Sequence, residues 1–221
     1  SKVKARLTKI WEQIASRFKD YDEHLLFEGM NEPRIVGGQD EWTGGTEEER
    51  EVINNLFAAF VETVRKSGGN NATRSLIITG HAAAIDEKAV KGIKVPDDDH
   101  IIVSIHAYAP YSFALDQNGT STFSDSDKSE LDKNFDFLKS TFIDKGIPVI
   151  IGEFGSLNKD NTSDRVKHME YYVSAAKARG ITCFIWDNGV KDGEGAFGLL
   201  NRKDGSWYFK DIVDAAMNGI E

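Results

Sequence analysis

The sequence has a single cysteine, Cys183, among its 221 residues, so no internal disulfide can form. Cys183 lies in Ile181-Thr-Cys-Phe-Ile-Trp186, a run that reads as a buried strand, and an inert core thiol is expected there. No apolar run approaches the ~18 residues needed to cross a membrane. Positive charge is in deficit: 27 Lys and Arg stand against 36 Asp and Glu, for a net charge of -9. An acidic chain repels phosphate backbones, which argues against nucleic-acid binding, whereas an uncharged polymer is indifferent to that field. The opening Ser1-Lys-Val-Lys-Ala-Arg6 has no apolar signal region behind it, as expected of a mature form or a fragment. No G-x-G-x-x-G follows any apolar run, which weakens a dinucleotide-binding reading, and no solenoid repeat recurs.

Apolar residues make up 40% of the chain and charged ones 29%, enough for a real core. Phe occurs 13 times, Tyr 6 and Trp 4. Such aromatics fill cores, and they also stack on the C–H faces of sugars.

Helical and strand patterns alternate. Residues 2–19 carry apolar positions at helical spacing: Val3, Leu7, Ile10, Trp11, Ile14 and Phe18. His24 to Asn31 reads as a strand. Residues 47–67 read as a helix opened by Thr46, with Glu49 three residues on. Leu76–Thr79 is a short strand, 85–91 a short helix, and Ile101–His106 a third strand. Residues 127–145 are helical, Pro148–Glu153 is a strand, 163–179 are helical, Ile181–Trp186 is a strand, and Trp207–Met217 is the last helix. Alternating β and α with near-continuous apolar strands predicts a parallel sheet covered by helices.

Polar chemistry gathers at the C-terminal ends of these strands: Asn31-Glu32, Thr79 to His81, His106 and Tyr108, Glu153, and Trp186 to Asn188. A doubly wound sheet concentrates its chemistry near one switch point, whereas a (β/α)8 barrel draws it from the ends of many strands. The pattern favours the barrel, with residues 1–221 as a single, partial catalytic domain. Five strands are countable, so the chain reads as the last five units, strands 4 to 8 with their helices.

Glu32 and Glu153 each directly end a predicted strand, and paired carboxyl groups are what glycoside hydrolysis requires. Leu25-Leu-Phe-Glu-Gly-Met-Asn-Glu-Pro-Arg34 resembles the Asn-Glu-Pro signature of family 5 glycoside hydrolases, (β/α)8 barrel enzymes that include many endoglucanases. The resemblance extends through Ile105-His-Ala-Tyr-Ala-Pro110, Pro148-Val-Ile-Ile-Gly-Glu-Phe-Gly155, Phe184-Ile-Trp-Asp-Asn188 and Phe197-Gly-Leu-Leu-Asn-Arg202. It implies that Glu32 is the acid/base and Glu153 the nucleophile. It also implies that Asn31 binds the sugar 2-hydroxyl, that His106 lies near the acid/base, that Tyr108 hydrogen-bonds the nucleophile, and that Trp186 floors the reacting subsite. Asn188 is a further candidate for substrate binding or support. Read singly, these residues have bland alternatives: Asn31-Glu-Pro as a strand-ending turn, His106 as a core histidine, Trp186 as plain core.

The resemblance further implies three preceding βα units, whose second strand ends in a supporting Arg and whose third ends in a His. The expected partner is therefore a complementary N-terminal barrel segment or another copy, besides a β-glucan polysaccharide or oligosaccharide. No cofactor, metal, nucleic acid or membrane partner is implied. The expected activity is retaining, internal cleavage of β-1,4-glucan; mannanase, xyloglucanase, licheninase and an impaired carbohydrate-binding remnant remain alternatives.

Several further features carry weaker signals. Asp97-Asp-Asp99 reads as a solvated turn rather than a cation site. His81, Trp42, Trp207 and Asp187 are weak candidates for the cleft or for distant subsites. Asn71-Ala-Thr73, Asn118-Gly-Thr120 and Asn161-Thr-Ser163 are glycosylation sequons, mildly favouring a secreted, extracellular product.

Overall fold

The computed structural model describes residues 1–221, in two compact units, Ser1–Ile105 and His106–Glu221. In the first unit, helix α1 (Lys2–Arg17) buries Trp11 and Ala15. Helix α2 (Glu47–Lys66) starts at the expected capping box, with Thr46 accepting from the Glu49 N–H and the Glu49 carboxylate accepting from the Thr46 N–H. Its apolar stripe, including Ile53, Phe57, Phe60 and Val64, is buried. Trp11 joins the layers: its ring lies 4.5 Å from Phe60 and 5.4 Å from Phe27, and its indole N–H donates to the Gly29 carbonyl. Gly29 has to be glycine, because a Cβ there would stand 2.8 Å from the Phe60 ring and 2.9 Å from that of Phe57.

Strands β1 (Phe27–Glu28), β2 (Leu76–Ile78) and β3 (Ile101–His106) pair in parallel, with Phe27 opposite Leu76 and Leu76 opposite Ile101. Helix α3 (Glu87–Lys91) is capped by Asp86 between β2 and β3. The first strand is much shorter than the expected run from His24 to Asn31. The carbonyls just before it serve another partner, the guanidinium of buried Arg74. Arg74 donates through Nη1 to Asp22 (2.8 Å) and Leu25, through Nη2 to Tyr21 (2.7 Å) and Phe18 (3.1 Å), and through Nε to the Asn71 side chain (2.7 Å). All five N–H donors of the fork are used. The acidic triplet is as exposed as expected at Asp97 and Asp99, but Asp98 is half-buried and takes both arms of Arg65, at 2.7 and 2.9 Å.

In the second unit, the short helix α4 (Tyr111–Ala114) follows a cis Ala109–Pro110 bond. Helix α5 (Asp125–Thr141) begins two residues before its expected start, because Ser124 and Asp127 form a capping box. It gives way to a 3-10 turn at Ile143–Lys145, closed by Gly146 at φ 81°. Strand β4 (Val149–Phe154) pairs in parallel with β5 (Thr182–Ile185), with Ile150 opposite Thr182. Helix α6 (Thr162–Lys177) lies between them in sequence and buries Arg165, His168, Met169 and Tyr172.

Two expectations change here. Strand β5 is not buried: Phe184 is 53% and Ile185 37% exposed, because its ladder runs to β4 along one edge only. Cys183 within it is half-buried, and burial of its thiol pushes the pKa up to about 12, so it stays protonated and unreactive. The last helix, α7, spans Lys210–Asn218; Trp207 instead pairs antiparallel with Leu200, so the loop folds back on itself before the helix begins.

Candidate active site

Asn31 and Glu32 lie three and four residues past the end of β1, and the turn they occupy is fixed where the Ala82 N–H donates to the Pro33 carbonyl at 3.0 Å. Arg34 organises the segment. Its Nη1 donates to the Glu32 carbonyl at 2.9 Å and to the Glu32 carboxylate at 3.2 Å. Its Nε donates to Glu41 at 2.9 Å, and its guanidinium carbon lies 4.5 Å from the centre of the Trp42 ring. The Arg34 bond, helped by the Gly37 N–H, holds the Glu41 carboxyl below the usual range, so Glu41 is a fixed anion. The Trp42 ring is otherwise open, 64% exposed. Asn31 is exposed and Glu32 half-buried. His81 is sealed at 1% exposure, with no hydrogen bond at either ring nitrogen and its nearest carboxylate oxygen, on Glu49, 3.7 Å away. Burial pushes its pKa down, so it is a neutral core imidazole that a substrate does not reach.

In the second unit the ends of β3 and β4 bring three of the expected residues together. The Tyr108 hydroxyl donates to Glu153 Oε2 at 2.7 Å, and His106 Nδ1 stands 3.5 Å from the same oxygen. The Ala107 N–H donates to the Glu153 carbonyl at 3.0 Å, so backbone and side chain both tie the residues around Tyr108 to Glu153. The Tyr108 hydroxyl thus anchors Oε2 of the Glu153 carboxylate. Phe197 packs edge-on against Tyr108 at 5.4 Å. Trp186 follows β5, its backbone N–H bonded to the Phe154 carbonyl and its residue surface 42% exposed.

Asn188 and Asp187 turn inward to their own loop. Asn188 donates to the Gly195 carbonyl at 2.7 Å and accepts from the Val190 and Phe197 N–H groups. Asp187 accepts from Gly189 at 2.6 Å and Leu200 at 2.9 Å. Together they shape residues 189–200 and so hold Phe197 against Tyr108. Sequence reading passed over Glu41, Phe197, His168 and Tyr172. Phe197 lay inside a quoted motif; the others sit in loop or helix positions with no local signature.

The chain was compared with known families and structures. Residues 1–192 match the family model described as cellulase, glycosyl hydrolase family 5. The chain belongs to this family. It is 50% identical over 227 residues to endoglucanase A of Clostridium longisporum, covering 100% of this chain and 44% of that one. A solved structure described as a GH5-4 broad specificity endoglucanase from Clostridium longisporum superposes with a TM-score of 0.96 at 49% identity, covering 100% of this chain and 65% of the other. Another, from Ruminococcus champanellensis with bound cellotriose, gives 0.94 at 48% identity over 98% of this chain and 64% of that one. The chain thus spans about half the length of the curated relative and under two thirds of the solved chains. Its parallel βα units are part of the (β/α)8 barrel of this family, as the strand-end chemistry predicted.

Proposed function

We propose that residues 1–221 form the reacting part of a retaining endo-β-1,4-glucanase, with Glu153 as nucleophile and Glu32 as acid/base. The observation that carries this reading is the 2.7 Å hydrogen bond from Tyr108 to Glu153 on a strand end of a family 5 chain. In the first step Glu153 attacks the anomeric carbon and the Glu32 carboxyl gives its proton to the departing glycosidic oxygen. In the second, Glu32 takes a proton from water, the water oxygen displaces Glu153, and the sugar leaves with its configuration retained. Asn31 addresses the 2-hydroxyl, Trp186 floors the reacting sugar, and His106 and Asn188 support the site.

A cellotriose-bound relative supports a β-glucan substrate. The exposed side chains of Leu26, just before β1, and of Phe184 and Ile185 in β5 support a partner surface for a complementary N-terminal barrel segment or a second copy. A polymer of this kind is met outside the cell, which supports a secreted enzyme.

The test is trapping. A 2-fluoro cellobioside with a good leaving group forms a long-lived adduct on a retaining nucleophile, and peptide mass spectrometry locates it. The adduct is expected on Glu153 and absent in Glu153→Gln. An adduct on any other carboxylate sinks the assignment.

A further inference from the structure

Helix α6 presents two buried polar side chains, His168 and Tyr172, each 0% exposed and one helical turn apart. His168 Nε2 lies 2.9 Å from the Ala109 carbonyl, and the Tyr172 hydroxyl donates to the Ala107 carbonyl at 2.8 Å. A carbonyl can only accept, so the histidine carries its proton on Nε2 and donates. The residue between these two carbonyls is Tyr108. Tyr172 also stacks on Phe154, the neighbour of Glu153, at 4.2 Å and 14° between planes.

We propose that His168 and Tyr172 are positioning residues for the reaction: they clamp the carbonyls on either side of Tyr108 and thereby aim its hydroxyl at Glu153. The proposal rests on the reading of Glu153 as the nucleophile. Its physical ground is the economy of buried hydrogen bonds. The Ala107 and Ala109 residues are 1% and 5% exposed, so water does not replace a lost donor at their carbonyls. Each clamp therefore holds its peptide in one orientation. The His168 ring has little freedom of its own, with Phe113 at 5.0 Å and Phe123 at 5.2 Å. Tyr172 is pinned between Phe154 and Phe135, whose ring lies edge-on at 5.0 Å. A generic core role would require only apolar bulk at these positions; two donors aimed at the carbonyls of the residues before and after Tyr108 are a more specific arrangement. Small errors in aim at a reacting carboxylate are amplified in the rate.

The experiment uses the full chain with Tyr172→Phe, which removes one hydroxyl and keeps the ring, and His168→Gln, which keeps a donor. In Tyr172→Phe, kcat is expected to fall about tenfold with KM unchanged. In a Tyr108→Phe background, the same change is expected to have almost no further effect on kcat, because the group being aimed is gone. His168→Gln is expected to retain more activity than His168→Leu. Carbon NMR of labelled tyrosine gives a readout without turnover. The Tyr108 resonance, assigned by its loss in Tyr108→Phe, should shift in Glu153→Gln and also in Tyr172→Phe. A Tyr108 signal unmoved by Tyr172→Phe, or an equal rate loss with and without Tyr108, overturns the clamp. Full activity in Glu153→Gln would instead overturn the reading of the nucleophile, and the NMR arm would still judge the clamp.

Discussion

Arg34 touches Glu32 twice, at its backbone carbonyl (2.9 Å) and at its carboxylate (3.2 Å), while Glu41 holds the other side of the guanidinium. The proposed acid/base is thus tethered to a cation that is itself tethered. Arg34→Met is expected to lower kcat/KM by about ten- to a hundredfold, as loss of one charge-assisted hydrogen bond implies. Steady-state kinetics on a soluble β-1,4-glucan checks this. An unchanged kcat/KM would reduce Arg34 to a loop brace.

Tyr108→Phe deletes the hydroxyl bound to Glu153 and keeps the ring against Phe197. The same magnitude of loss is expected, about ten- to a hundredfold, concentrated in kcat. A rise in KM with kcat intact would instead make Tyr108 a substrate-binding group.

Arg74 is expected to matter for stability and not for chemistry. Arg74→Ala strips donors from four carbonyls and from Asn71, and should lower unfolding free energy by about 3 kcal/mol or more. Arg74→Lys keeps the charge but loses the fork and should recover only part of it. Urea unfolding midpoints decide this, and a midpoint within error of the unmodified chain would refute it.

His168 gives stability a pH dependence. Burial, opposed by its bond to Ala109 and by Asp127 and aided by Arg165, pushes its pKa down from 6.5 to about 4. The unfolded chain therefore binds the proton first as pH falls. Stability from this group is complete above about pH 6.5, declines below it, and is gone by about pH 4, a change of about 3 kcal/mol at most. Carboxylates add their own dependence at low pH, so the comparison is with His168→Gln. Its urea midpoint should vary less between pH 6.5 and 4. Parallel pH curves for the two proteins would show that His168 does not titrate there.

The parts legible in the sequence were those written locally. The Thr46–Glu49 capping box, the apolar periods of α1 and α2, and the strand Ile101–His106 follow from spacing alone. The strand-end motifs likewise named Tyr108 and Glu153 before their contact was seen. What escaped reading depends on partners distant in sequence. Arg74 takes carbonyls about 50 positions away, among them that of Leu25 just before β1. His168 and Tyr172 look like ordinary amphipathic helix residues until their carbonyl partners, 59 and 65 positions back, are in place. The burial of β5 was misjudged because an apolar run does not say how many neighbours it will have.

Of the three sequon asparagines, Asn118 is exposed, whereas Asn71 and Asn161 point their amides inward. Asn71 Nδ2 donates to Ala15 and Ser67, and Asn161 Nδ2 donates to Ser121. An oligosaccharide joined to either nitrogen during synthesis would occupy the place of those bonds before the chain could close around them. Production in a glycosylating host therefore sets sugar attachment in competition with folding at two sites and leaves it harmless at the third, so the choice of expression host becomes a structural variable for this chain.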